Sequence, residues 1–248
     1  MINSNTFSNF NSKYPIYTDL HTHSISSGHG SEDTITDMIR CASESGLSLF
    51  GISDHGPATS SSAKPSYFQS LKLADRDRFG IRVLYGAELN IINTAGDVDL
   101  DDEILSALDY AIISIHPPIF KPYHDKDLSS AYIRAMDHPK VRFLGHIDDA
   151  RFPVDFEYLL EIAKEKYVYP EINNGSLMPD AYRINGQENC RRILSICKKL
   201  DLPVLLSSDS HGKKNIGNMQ YFPLLEELDF PAHLVLNSDL SVLSEIIR

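Results

Sequence analysis

The stretch Tyr17-Thr-Asp-Leu-His-Thr-His-Ser-Ile-Ser-Ser-Gly-His29 places three histidines within nine residues, directly after a short apolar run. His21 and His23 are two apart. In extended backbone, residues i and i+2 project from the same side, so both imidazoles face one place. Imidazole is the commonest side-chain ligand for zinc and related ions. Working outward, the same arrangement recurs. Runs rich in β-branched and aromatic residues span Ile16–Leu20, Ser48–Ser53, Arg82–Leu89, Tyr110–His116, Arg142–His146, Tyr167–Asn173 and Pro203–Ser208. Each ends in polar, ligand-type residues: Asp19 with His21 and His23, Asp54 with His55, Glu88, His116, His146, Glu171 with Asn173, and Asp209 with His211.

Amphipathic stretches fill most of the gaps. Thr34–Ser45 has Thr34 as its N-cap, buries Ile35, Met38, Ile39 and Ala42, and stops at Gly46. Phe156–Lys166 and Gln187–Leu200 repeat the pattern, and a terminal pair near Met219–Leu228 and Asp239–Ile247 can close or underlie the sheet. Strands alternating with helices predict βα units around a parallel sheet. In a parallel barrel all strand C-termini share one rim, where barrel enzymes keep their active sites. The expected fold is α/β, a distorted seven-stranded (β/α) barrel. We expect residues 1–13 to form a flexible N-terminal arm and residues 14–248 a single domain.

Composition narrows the classes. The formal charge of −11, with histidine neutral, argues against a long nucleic-acid partner, which needs a basic surface. Bound divalent cations offset part of that charge. Cys41, Cys190 and Cys197 are odd in number and form no CxxC pair, so neither a disulfide framework nor a thiolate zinc site is expected. No apolar run reaches the ~18 residues of a membrane span, and the Asn/Ser-rich start lacks signal-peptide features. A cytoplasmic location without membrane association is expected; a homo-oligomer stays open. Of the remaining histidines, His138 and His233 read as surface residues. His124, in the loop Lys121-Pro-Tyr-His-Asp-Lys126, follows a rim strand and overlooks the expected site. The acidic run Asp97–Glu103 lacks EF-hand ligand order and reads as a solvated helix entrance.

Taken in order, Asp19-Leu-His-Thr-His23, His29, Ser53-Asp-His-Gly-Pro57, Gly86-Ala-Glu88, Ile115-His116, Gly145-His146, Glu171-Ile-Asn-Asn174 and Ser208-Asp-Ser-His211 resemble the PHP (polymerase and histidinol phosphatase) superfamily, and within it the YcdX-type phosphatases. The resemblance covers nearly all the chain after the N-terminal arm. It implies a trinuclear metal site on the rim, with His21, His23, His29, His55, Glu88, His116, His146, Asp209 and His211 as ligands. It further implies one metal on His21, His23, Glu88 and Asp209, a second bridged by Glu88 to His116 and His146, and a third on His29, His55 and His211. The loops around Lys64–Ser70 and Met178–Gly186 depart from the family, so its substrate preference does not transfer.

Three divalent ions (Zn, Mn or Fe) suit phosphoester hydrolysis, because such ions bind phosphate oxygens and acidify water into a nucleophilic hydroxide. The expected activity is therefore that of a metal-dependent phosphatase on small phosphomonoesters. Leaving-group protonation is expected from a metal-bound water or from an acid such as Asp19 or Asp54; beside histidines, these aspartates are also expected to accept a ring N–H. Arg183, with Lys121 and His124, is expected to meet the substrate, Arg183 because its planar fork binds phosphate oxygens in pairs. Alternatives are histidinol-phosphate hydrolysis, a 3′–5′ exonuclease on short oligonucleotides, amide or lactone hydrolysis, and a non-catalytic regulatory protein with a structural metal cluster.

Overall fold

The computed structural model describes residues 13–120, 126–219 and 223–247. Seven strands form one ladder in chain order: β1 (Thr18–Asp19), β2 (Leu49–Ile52), β3 (Ile81–Asn90), β4 (Tyr110–Ser114), β5 (Val141–Leu144), β6 (Tyr169–Asn173) and β7 (Leu205–Ser207). Every neighbouring pair in that path is parallel. Asp77–Arg78 adds a short antiparallel flank to β3. The helices are α1 (Ile35–Glu44), α2 (Pro65–Ser70), α3 (Asp102–Leu105), α4 (Ser129–Ala135), α5 (Phe156–Glu165), α6 (Gly186–Leu200), α7 (Pro223–Glu227) and α8 (Leu240–Ile246). This is the expected distorted barrel, with a nearly closed sheet.

Helix entries follow from local chemistry. The Thr34 side chain accepts from the Asp37 backbone N–H, and Asp37 reaches back to the Thr34 N–H, a capping box that fixes the start of α1. Asp155 caps α5 and Asp239 caps α8 in the same way. Cys190 and Cys197 are fully buried on α6, packed as small apolar side chains.

The strands are buried on both faces, as expected for a parallel sheet under helices. Alternation sorts them into two cores. Val83, Tyr85, Ala87 and Leu89 of β3, with Ala111 and Ile113 of β4, pack outward among the helices. Leu84, Tyr110, Ile112, Phe143 and Leu205 pack with Leu20, Leu236 and the α8 residue Leu243 in a separate cluster. That cluster plugs the barrel below the rim. Gly86 sits level with its top, where a Cβ would meet the Tyr110 ring at 2.8 Å. The next inward positions on β3 are Glu88 and Asn90. Period-two alternation thus lifts a carboxylate and an amide directly above an apolar plug.

Two devices join the first and last strands. Asn237, fully buried, accepts from Leu206 N–H at 2.7 Å and donates to the carbonyls of Thr18 (2.9 Å) and Leu206 (2.8 Å). Nearer the rim, Ser210–His211 pairs in parallel with Thr22–His23, in the register His211 to His23. Of the terminal helical pair, α7 spans Pro223–Glu227 among the described residues and α8 packs beneath the barrel. No helix among the described residues is long and apolar enough to cross a membrane.

Candidate metal centre

Glu88 is the hub of the rim. Its Oε2 lies 3.3 Å from His21 Nε2, 3.5 Å from His23 Nε2 and 2.6 Å from His55 Nδ1. Its Oε1 lies 3.3 Å from His116 Nε2 and 2.9 Å from His146 Nε2. Asp209 Oδ1 approaches His23 Nε2 at 3.1 Å and His21 Nε2 at 3.6 Å. The ring of His211 stacks on that of His23 at 4.3 Å, as their strand register requires. His29 follows a 3₁₀ turn and Gly28, whose positive φ of 83° and backbone contact with Ser61 leave no room for a Cβ. This turn folds exposed His29 back so that its ring stacks on His55 at 4.9 Å and lies 5.1 Å from His211.

Three groups bring donor atoms within 4.8 Å of one another: His23, His55 and His211; His21, His23 and Glu88; His55, Glu88 and His116. Each could hold an ion, and His23, His55 and Glu88 are each shared between two groups. The donor set passes a stricter test. His21 Nε2, His23 Nε2, His55 Nδ1, His211 Nε2 and Glu88 Oε2 are buried without a hydrogen-bond partner. Orphaned buried polar atoms are costly in a folded protein; five converging on one spot fit divalent cations. Two of the nine non-glycine residues with positive φ among the described residues also lie on this rim. His146 and Asp209 adopt positive φ (28° and 54°), which costs of order 1–3 kcal/mol for a non-glycine residue and recurs at functional sites.

Electrostatics agree. Burial opposes ionisation of Glu88, yet His21, His116 and His55 hold its pKa well below the ordinary carboxylate range. Burial likewise opposes Asp209, and His21, the adjacent His23 ring and Arg183 outweigh it in the same direction. Burial disfavours a charged His21, but Glu171, Glu88 and Asp209 raise its pKa well above the usual imidazole value. Burial, then His55 and His211, push His23 down. Both carboxylates are thus held in their charged form among the rings.

A second layer orients the rings. His21 Nδ1–H donates to Glu171 Oε1 at 2.6 Å, His23 Nδ1–H to Ser27 Oγ at 3.0 Å, and His116 Nδ1–H to Asn90 Oδ1 at 2.7 Å. Each leaves Nε2 bare for a metal. Asn90 is fixed by Asp99, which accepts from its side-chain amide at 2.6 Å and its backbone N–H at 2.9 Å. Glu171 also accepts from Ser207 Oγ, His146 N–H (2.8 Å) and Asn173 Nδ2 (3.2 Å).

The aspartates expected as acids sit elsewhere in this scheme. Asp54 is fully buried and accepts from Ser24 N–H and Oγ, Ser27 Oγ and the Tyr67 hydroxyl. It acts on His23 one step removed, through Ser27. Asp19, pushed up to about 6 by burial against the opposing bonds of Ser208 and Gly217, ties β1 to the loop after β7. Neither lines the cavity above the rim, so the geometry does not support the acid role, and neither accepts a histidine N–H directly.

That cavity has a volume of about 610 Å³ and opens over His29, His55, His116, Asp209 and His211. Arg183 lines it as expected, held by Asp209 Oδ2 (2.8 Å), Asn173 Oδ1 (3.1 Å) and Ser176 Oγ (3.2 Å). Lys121 and His124 lie outside the described residues. His138 is partly exposed and bonded to Asp102, and His233 is largely exposed; both stand apart from the rim.

Sequence reasoning placed Glu171 at a strand end as a metal ligand or a group supporting one, and missed Asn90, Ser27 and Asp99. Strand parity was the usable signal for two of them, since Asn90 follows Glu88 by two and Glu171 precedes Asn173 by two. Asp99 had no local signal, because its partner Asn90 is reached only through the fold.

A sequence profile of the PHP domain matches residues 19–174. The chain belongs to the PHP family. It is 36% identical over 231 residues to a protein of Clostridium acetobutylicum named a probable phosphatase, covering 93% of both chains. It is 35% identical over 222 residues to one of Clostridium novyi with the same description, covering 89% of this chain and 90% of that one. Among solved structures, the histidinol phosphate phosphatase of Lactococcus lactis, complexed with zinc, L-histidinol and phosphate, superposes with a TM-score of 0.58 at 20% identity, over 88% of this chain and 93% of that one. A chain of an archaeal ribonuclease P solved with mature tRNA superposes at 0.61 and 18% identity, over 93% and 89%. These superpositions show a shared fold alone, so the rim must carry the functional argument.

Proposed function

We propose that this PHP protein is a metal-dependent phosphatase of small phosphomonoesters, with three divalent ions (Zn, Mn or Fe) held by His21, His23, His29, His55, Glu88, His116, His146, Asp209 and His211. The single observation that carries the reading is the set of orphaned, buried Nε2, Nδ1 and Oε2 atoms beneath an open cavity whose lining includes a guanidinium. A closed structural site would leave no room for substrate. The relatives named as phosphatases support the same class.

Divalent ions bound there supply Lewis acidity for hydrolysis of a phosphoester by water. The residues do the rest. Glu88 faces both halves of the site through its two oxygens, which suits it to bridge. Glu171, Ser27 and Asn90 hold three rings in the tautomer that offers Nε2. Arg183 presents its fork to phosphate oxygens while Asp209, Asn173 and Ser176 fix its direction. Since Asp19 and Asp54 lie off the cavity, we assign leaving-group protonation to water within it and give both aspartates positioning roles.

The test is elemental analysis of the purified protein together with phosphate release from a panel that includes histidinol phosphate and a short oligonucleotide. About three ions per chain and chelator-sensitive release from monoesters support the proposal. Metal-free protein that retains full turnover would overturn it.

A further inference from the structure

The cavity wall away from the ions has a chemistry of its own. Pro117, Pro118 and Ile119 follow β4 directly and line one part of it; Tyr182 lines another. The first segment is rigid. Two prolines have fixed φ, the turn is closed by hydrogen bonds from Ile119 and Phe120 N–H to the His116 carbonyl (3.0 and 2.8 Å), and Phe120 is buried against Phe152.

Tyr182 is 71% exposed, yet it is braced. The Arg151 guanidinium lies over its ring, 4.1 Å from the centroid. Arg151 is itself held by Asp149, whose oxygens receive Arg151 Nε at 3.0 and 2.9 Å. Asp149 also accepts from Ile184 N–H, and Ala150 N–H bonds the Ile184 carbonyl at 2.9 Å, so the Tyr182 loop is pinned to the segment that carries its brace. Arg151 itself is not among the residues lining the cavity.

We propose that Tyr182 and the Pro117–Ile119 wall form a subsite for a neutral, flat, aromatic or heteroaromatic leaving group. The substrate class is then an aryl-bearing phosphomonoester. The inference rests on the phosphatase reading and adds what the alcohol looks like. Three observations carry it. The wall offers an exposed aromatic face, which stacks on flat rings beyond simple area burial. Prolines have no N–H to recognise a polar substituent. Asp209 is the one carboxylate among the described lining residues and is taken by Arg183, so no free carboxylate among them receives an ammonium group. Arg151 reinforces this exclusion, because a ring already carrying a cation on one face is a poor partner for a second. A cavity of about 610 Å³ accommodates such a group together with the phosphate.

Phosphonates test the subsite without relying on turnover. Binding of 2-phenylethylphosphonate, 2-cyclohexylethylphosphonate and 2-aminoethylphosphonate to the metal-loaded protein is measured by calorimetry. The aryl compound should bind about tenfold more tightly than the amine and about threefold more tightly than the cyclohexyl compound. Tyr182→Ala should erase the aryl-over-cyclohexyl preference, Tyr182→Phe should keep it, and Arg151→Ala should weaken it partially. Metal content serves as the folding control for each variant. Phosphonate binding without an aryl preference, or a preference that survives Tyr182→Ala, overturns the subsite and leaves the phosphatase reading intact. Failure of all three phosphonates to bind the loaded protein overturns both.

Discussion

Replacing Glu171 with Gln changes one oxygen to an NH2 group at nearly constant volume, so its effect isolates hydrogen-bond polarity. The carboxylate receives four donors: His21 Nδ1–H and Ser207 on Oε1, His146 N–H and Asn173 Nδ2 on Oε2. Burial opposes its charge, but His21 and His146 hold its pKa below the ordinary value. A glutamine has two ways to sit. With its oxygen toward His21, the new NH2 faces the backbone N–H of His146, which cannot rotate away; a buried donor left unpaired costs about 1–3 kcal/mol. With its NH2 toward His21, that ring must offer a bare Nδ1, and its proton moves to Nε2, the nitrogen facing Glu88 and Asp209. That proton must then leave before any metal binds. Loss of an outer partner of a ligating histidine typically costs 10- to 100-fold in metal affinity, or about 1.4–2.7 kcal/mol. Both routes therefore converge on the same size of effect. Glu171→Gln should therefore either lower metal affinity at least tenfold, read by chelator competition, or lower the stability of the ion-free protein by about 1–3 kcal/mol through the His146 route, read by urea unfolding. Affinity within about twofold of wild type, with unchanged ion-free stability, would refute the orienting role.

Further outcomes follow from the same contacts. Asn90→Ala removes the acceptor on His116 and should weaken metal binding about tenfold, whereas Asn90→Asp keeps the acceptor but sets a second carboxylate against Asp99 and should destabilise the fold; chelator competition and thermal melts separate the two. Arg183→Ala should raise KM for phosphomonoesters more than it lowers metal content, and equal loss of metal would make Arg183 a structural brace for Asp209 instead. Asn237→Ala strands the Leu206 N–H and two carbonyls at the seam and should cost about 3 kcal/mol or more, read by urea unfolding. Saturating the protein with metal at 100-fold above Kd should add about 2.7 kcal/mol of stability for each ion bound, a Tm rise of roughly 5–10 °C per ion that a chelator reverses.

The barrel was legible because each strand is a short apolar run closed by a polar residue, and period-two spacing says which way His21, His23, Glu88 and Asp209 point. α1 was legible down to its cap, since Thr34 and Asp37 are a local pair. What escaped was non-local. Nothing in the sequence near Asp54 says that Ser24, Ser27 and Tyr67 will occupy its oxygens, so a carboxylate beside a histidine read as an acid. Nothing near Tyr182 announces Arg151, because the two meet only where neighbouring rim loops pack together. Asp99 looked like part of an exposed acidic run; burial against Asn90 and Ala58 gave it a different task.

The seam at Asn237 also sets an order of events during synthesis. His21 and His23 emerge early, whereas Asp209 and His211 emerge late, and the amide that laces their strands together comes later still. On a ribosome, the nascent chain can stack six strands while its first histidines wait without their opposite carboxylate. A complete binding site arises only when the last strand is drawn in against the first. Of the three donor groups, only that of His23, His55 and His211 joins both ends of the chain, so it is the one that waits for the closed barrel.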